Sequence, residues 1–217
     1  KQQNVETAEL SLLTLESVPA DADCILINAP QSDISLDEQS KLLEYLGNGG
    51  NLFLITDPPK NGALTNLEAL MADYGVTAVD GIVVESDQSH YVWGTPYFLL
   101  PDIAPLAITT PLTDGGYRVL LPIAQGLTVA EDLRDTLSVT KLLTTSASAF
   151  AKAAGYDLTT YEKEEGDVNG PFALAVAISD TVDDGITGDI VWVSSTALVD
   201  DQTNTQVSGG NQDFFLN

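Results

Sequence analysis

Two short apolar runs flanking one amphipathic stretch constrain this chain most. "CILINAP" (24–30) and "NLFLITDPP" (51–59) are continuous apolar runs, each stopped by proline. That is the pattern of strands buried on both faces. Between them lies "SLDEQSKLLEYLGNGG". Ser35 followed by Glu38 has the spacing of a capping box. Leu36, Leu42, Leu43 and Leu46 recur at helical intervals, with Tyr45 at the border. The glycines from Gly47 to Gly50 end that helix. A strand–helix–strand unit of this size predicts parallel neighbours in one sheet.

The pattern continues on both sides. "VETAELSL" (5–12) alternates weakly and reads as a strand. "TNLEALMADYG" (65–75) reads as a second helix, capped by Thr65 or Asn66, with Leu67, Leu70, Met71 and Tyr74 as its apolar stripe. "VTAVDGIVVE" (76–85) is strand-like. The order β-β-α-β-α-β predicts an α/β fold with a mostly parallel central sheet flanked by helices. Residues 86–135 break the rhythm. Pro96, Pro101, Pro105, Pro111 and Pro122 fall there, which predicts an irregular insertion or sheet extension. "LSVTKLLTTSASAFAKA" (137–153) reads as a strand followed by a short helical stretch. A charged loop (158–170) and two core strands, "FALAVAISD" (172–180) and "GDIVWVSSTALV" (188–199), close the pattern. The last residues read as a polar loop and the first turn of a helix. The whole of 1–217 reads as a single α/β domain.

Composition removes several functions. The chain carries 8 Lys+Arg against 32 Asp+Glu, a net charge of −24. Such a surface repels nucleic-acid phosphates and anionic lipid headgroups. One cysteine, Cys24, permits no intrachain disulfide, and one histidine, His90, rules out a multi-ligand Cys/His zinc site within the chain. No apolar stretch reaches the length of a membrane helix.

The glycines at 47–50 do not form a phosphate loop. Phosphate loops run strand, glycines, helix, and so aim amides at the anion. Here the glycines follow a helix, whose exposed carbonyls repel anions. Cys24 opens a strand and reads as a buried structural cysteine, not as a nucleophile on a strand-to-helix turn. Ser194 and Ser195 follow a strand without a G-x-S-x-G context. The Asp pairs at 183–184 and 200–201 lack calcium-loop spacing; they and "EKEEGD" (162–167) read as solvated faces. No cofactor or metal is expected.

In open α/β sheets, ligands bind beyond the carboxyl ends of the strands. This points to Asn28–Gln31, Thr56–Asp57 and Ser194–Thr196, and above all to Asn28, Gln31, Asp57 and Ser194 as a candidate pocket. His90 and Trp93, in the loop "SDQSHYVWG", are the further candidate ligand contacts.

With these residues placed, the phrases "LSLLTLESVPADADCILINAPQSDISLDEQSKLLEYLGNGGNLFLITDP", "NLEALMADYGVTAVDGIVVE" and "VTKLLTTSASAF" resemble a family. The chain is similar to the auxiliary components of uncharacterised ABC-type transport systems, the GldG-like gliding-motility auxiliary proteins. The resemblance covers about 5–217 and is weakest over 86–135. It implies a fold similar to that of class I glutamine amidotransferases, which is flavodoxin-like, without their enzymology. Neither Cys24 nor His90 occupies a catalytic position of that fold. It implies an extracytoplasmic domain, part of a longer protein held to the membrane by segments outside this sequence. It also implies an ABC permease and ATPase as partners, and a further strand and helix preceding "VETAELSL".

Three functions follow. One is a non-enzymatic accessory domain of an ABC export or motility system, acting by protein contact or ligand capture. Another is a saccharide- or cell-wall-binding module with Tyr91, Trp93, Tyr97 and Phe98 as a stacking surface. The third is an amidotransferase-like hydrolase working through His90 or Ser195; it requires His90 within hydrogen-bond reach of a nucleophile in a cleft.

Overall fold

The computed structural model describes residues 5–60, 62–183 and 185–216, the side chain of residue 183 aside. In chain order the elements are β1 (Ile25–Asn28), α1 (Leu36–Gly47), β2 (Leu52–Ile55), α2 (Thr65–Asp73), β3 (Val76–Val79) and β4 (Ile82–Val84). There follow β5 (Phe98–Leu99), β6 (Asp102–Ile103), α3 (Thr110–Gly115), β7 (Leu121–Pro122) and β8 (Gly126–Val129). The last third holds β9 (Leu137–Thr144), β10 (Phe150–Lys152), β11 (Val168–Asn169), β12 (Ala173–Asp183), β13 (Ile186–Val193), α4 (Asp201–Gln206) and α5 (Gly210–Leu216).

The main sheet runs β1-β2-β13-β12-β8-β3, with β9 pairing β12 and β6 pairing β9. Only β1–β2 and β2–β13 are parallel. Every other pairing in this sheet is antiparallel. The sheet is therefore mixed, not mostly parallel. Its antiparallel half comes from the long β12–β13 hairpin, and β9, β8 and β6 extend that half. The irregular 86–135 segment contributes two of these strands, β6 and β8, and a separate two-stranded sheet of β5 and β7.

Period-two alternation divides the core between two faces. Leu52 and Leu54 pack with Ile190, Trp192, Val176 and Ile178 under Leu42, Leu46, Leu67, Leu70 and Met71 of α1 and α2. Phe53, Ile55, Val191 and Val193 face the other way, toward Leu112 of α3, Leu198 and Phe214 of α5. Helices thus cover both faces, as the strand–helix pattern predicts.

α1 begins as its sequence predicts. The Ser35 hydroxyl accepts from the Glu38 amide, and the Glu38 carboxylate accepts from the Ser35 amide. Leu36 departs from the expected stripe and is exposed. α2 is capped neither by Thr65 nor by Asn66. Asp33, arriving from the β1–α1 connection, accepts from the Asn66 and Leu67 amides at 2.8 and 3.1 Å. A distant carboxylate thus satisfies amides that a local cap would otherwise take.

Four further expectations change. Residues 5–12 form no strand; Val5 to Leu10 are exposed and unpaired in any sheet. β1 lies at the sheet edge, so Leu26 is exposed where burial on both faces was expected. The single strand expected over 76–85 is two strands in different sheets, separated at Asp80–Gly81. The short helical stretch expected at the end of 137–153 is β10, held between β4 and β11, because Phe150, Ala151 and Lys152 pair with the buried Val84, Val83 and Ile82 of β4.

Lys152 organises the charged loop. Its side chain is wholly buried, and its ammonium donates to the Glu162 carbonyl and pairs with Glu164 and Asp167. Asp167 also accepts from the amides of Ala153 and Glu164. Burial alone would raise the Asp167 carboxyl, but those amides and Lys152 hold it below its usual range.

Candidate functional site

The carboxyl ends of β1, β2 and β13 open onto two adjoining depressions. β1 leaves the sheet through Ala29, a non-glycine residue at φ +51°. The Ala29 amide donates to the Ile55 carbonyl, and the Gln31 side chain donates to the Ala29 carbonyl. Left-handed backbone at a residue with a Cβ is disfavoured and persists only where its surroundings hold it. β2 leaves through Thr56, Asp57, Pro58 and Pro59. The outer depression, about 70 Å3, is lined by Ala29, Pro30, Gln31, Pro58 and Lys60. The inner one, about 10 Å3, is lined by Thr56, Leu67, Glu68, Met71, Gln125 and Trp192. Asp57, Pro59 and Leu64 border both.

Asp57 is committed to the scaffold. Its carboxylate accepts from the amide and hydroxyl of Thr196 at 2.8 and 2.7 Å, tying β2 to the turn after β13. The Trp192 indole donates to the Thr56 hydroxyl at 2.9 Å. The Tyr156 hydroxyl donates to the Pro58 carbonyl, and burial with the charge of Asp57 pushes its pKa up to about 12. Lys60 lies over the Tyr156 ring, 4.7 Å from its centroid. Burial, with the charges of Asp80 and Asp33, pushes the Glu68 carboxyl above its ordinary range.

Of the four residues expected at the strand ends, Gln31 and Asp57 line the same depression. Asn28 stays on the exposed sheet edge and lines neither. Ser194 is fully buried beneath the strand ends and donates its hydroxyl to the Leu174 carbonyl. Ser195 likewise donates to the Pro122 carbonyl at 2.7 Å and accepts from the Ala197 amide. Sequence periodicity gave no notice of Gln125 or Glu68. Gln125 precedes β8, within the strand-like piece "YRVLLPIAQGLTV" (117–129), and Glu68 reads as a solvent residue of α2.

His90 and Trp93 line neither depression and belong to a separate hairpin. Tyr91 bridges Leu99, the Leu100 amide donates to the His90 carbonyl, and the Val92 amide donates to the Phe98 carbonyl. The turn places Trp93 at φ +54° with 60% of its surface exposed. Four rings touch in series. Trp93 meets Phe98 edge-on at 5.5 Å, Phe98 meets Tyr97 at 5.3 Å, and Tyr97 meets Tyr161 at 5.7 Å. Tyr161 comes from the charged loop that Lys152 clamps, so only the fold brings it to this row.

The His90 ring sits between carboxylates. Nε2 is 3.2 Å from Asp102, and Nδ1 is 3.3 Å from Asp87 and 3.0 Å from the Ser89 hydroxyl. Burial alone would lower its pKa; Asp102, Glu85 and Asp87 outweigh that and raise it. Glu85 is buried and accepts from the amide and hydroxyl of Ser146. Burial still pushes its carboxyl above its ordinary range. Ser89 is exposed, adjacent in sequence, and already donates to Asp87. Cys24 corrects an expectation: it is exposed, not buried. Protein packed about its sulfur nonetheless pushes the thiol up, away from the nucleophilic thiolate.

Among the described residues, no three His, Cys, Asp or Glu side chains gather as a metal site. Asp200 instead caps α4, accepting from the Thr203 amide and hydroxyl. Among the described residues no helix is long and apolar enough to cross a membrane.

The family model of an ABC-type uncharacterized transport system matches residues 1–217. The chain belongs to this family of auxiliary ABC transport components. Among solved structures, the mmIFT52 N-terminal domain is similar over 97% of this chain and 79% of that one, at 15% identity and TM-score 0.63. That likeness concerns the fold alone. A ThuA-like protein from Bacteroides uniformis aligns over 88% of this chain and 69% of that one, at 13% identity and TM-score 0.40. No curated protein matches.

Proposed function

We propose that this domain is a non-enzymatic, extracytoplasmic accessory of an ABC-type export or gliding-motility system, acting through protein contacts or ligand capture. The observation that carries this reading is the family match over residues 1–217. The chemistry of the side chains supports it. Ser194 and Ser195 spend their hydroxyls on backbone carbonyls, and the serine beside His90 is its exposed neighbour Ser89. An amidotransferase-like hydrolase needs His90 next to a nucleophile in a cleft, and neither depression includes it. In this reading the partners are the permease and ATPase subunits, and membrane attachment resides in segments outside this sequence. The test is purification of the full-length protein from membranes after mild crosslinking. The permease and ATPase are expected to come with it; their absence, with the bait intact, overturns the reading.

One observation favours a second reading, a saccharide- or cell-wall-binding module. Exposed Trp93 heads a row of rings suited to stacking on sugar faces. Pull-down on insoluble cell-wall polysaccharide tests it. Binding that falls roughly tenfold in Trp93→Ala supports it; no retention of the wild type ends it.

A further inference from the structure

The inner depression holds a buried polar group that the protein leaves unused. Gln125 is 3% exposed, yet its carboxamide makes no hydrogen bond to any described residue. Its polar atoms are open to the depression and not sealed from solvent as Asp180 Oδ1 is, so a ligand or water entering there can meet them. Two more acceptors line the same cavity. The Thr56 oxygen takes one bond from Trp192 and keeps a second lone pair. The Glu68 carboxylate lines it too, and among the described residues no cation pairs with it. The remaining walls are apolar: Leu64, Leu67, Met71, Ala78 and the Trp192 ring.

We infer that this cavity receives the primary ammonium tip of a ligand, such as a lysyl side chain of a peptide. Size selects the group first. About 10 Å3 admits a single water-sized centre, which suits an ammonium and excludes a carboxylate, carboxamide or phosphate. Charge selects next. Glu68 and Asp57 border the cavity and the charges of Asp33 and Asp80 reach Glu68, so an anion is repelled and a cation drawn in. Hydrogen-bond count selects last. An ammonium has three donors, and Gln125, Thr56 and Glu68 supply three acceptors. The methylene stem lies outside this small space, over the apolar surface of Leu64 and Pro59 that borders both depressions, as lysine stems lie on apolar surface. The stem leaves past Leu64 and Pro59 into the outer depression, where Gln31, Pro30 and Pro58 face the rest of the ligand. Lys60, at that rim, is drawn over Tyr156 and so leaves the cavity free. This inference stands apart from the accessory role, since it holds whichever subunits the full-length protein meets.

Trp192 lines the cavity and reports on it. In a Trp93→Phe background it is the sole indole. Its emission is followed while n-butylammonium or Nα-acetyl-lysine methylamide is added at constant ionic strength. Tetramethylammonium, which has no N–H, and n-butanol serve as controls. A saturable change with both amines and with neither control is expected, weakened roughly tenfold or more in Glu68→Gln and in Gln125→Met. Glu68 is half-buried on a helix surface, so Glu68→Gln decides alone if Gln125→Met melts early. Absence of a saturable change, an equal response to either control, or an undiminished response in Glu68→Gln overturns the inference and leaves the cavity to water.

Discussion

His90 shows how a single side chain carries a pH dependence. Its folded pKa lies above the ordinary value because Asp102, Glu85 and Asp87 favour the imidazolium despite burial. The stability it contributes is therefore fully present below about pH 6.5, its unfolded value. That increment is lost as pH rises through the higher folded value. Asp102 is largely exposed, so solvent screens the pair and the effect is small. Denaturant midpoints of wild type and His90→Gln are expected to differ most near pH 5.5 and to converge by pH 8.5. Equal differences at both ends would show that the histidine's charge is immaterial. Gly81 illustrates a different constraint. It sits at φ +101°, and a Cβ there would lie 2.1 Å from the Lys152 carbonyl oxygen. This close approach is where β4 meets β10, and no side chain fits it.

Elements were legible in the sequence where local chemistry and burial agree. β1, α1, β2 and α2 follow directly from proline-stopped apolar runs, the Ser35–Glu38 box and the Leu67–Leu70–Met71 stripe. Elements were misread where a distant partner decides. The alanine-rich 146–153 stretch favours helix by propensity, but β4 offers Phe150 and Lys152 buried partners in Val84 and Ile82. "VETAELSL" alternates, yet no strand lies beside it. The direction of pairing was illegible too, although the Asp–Gly pair at 184–185 is a hairpin signal between β12 and β13. The strand-end rule located the groove through Gln31 and Asp57. It missed Gln125, although "YRVLLPIAQGLTV" (117–129) reads as strand-like and contains both β8 and that residue. The cap of α2 was equally non-local. Asp33→Ala leaves the Asn66 and Leu67 amides without their acceptor, and is expected to lower unfolding free energy by about 1–2 kcal/mol. Chemical denaturation measures this; a change under a few tenths would place the capping elsewhere.

At the scale of the whole molecule, charge and topology set behaviour. A net charge of −24 over 217 residues makes the folded state self-repelling. Added salt screens this repulsion. The melting temperature is expected to rise by several degrees between 10 and 300 mM NaCl, by scanning calorimetry; a flat or falling Tm would mean that specific ion pairs outweigh the global field. The sheet's plan also sets the order of assembly. β2 gains one neighbour from β1, close behind it, and the other from β13, through pairs such as Leu52 with Ile190 and Ile55 with Val193. A ribosome must therefore deliver the chain as far as β13 before the first helices have a complete sheet beneath them. Until then Leu52 and Leu54 lie beside an open strand edge, the situation in which chains stick to one another. Closure of so long a loop is slow. Between the synthesis of β2 and that of β13 the nascent domain is thus exposed to aggregation at β2, and that interval is where a chaperone would act on it.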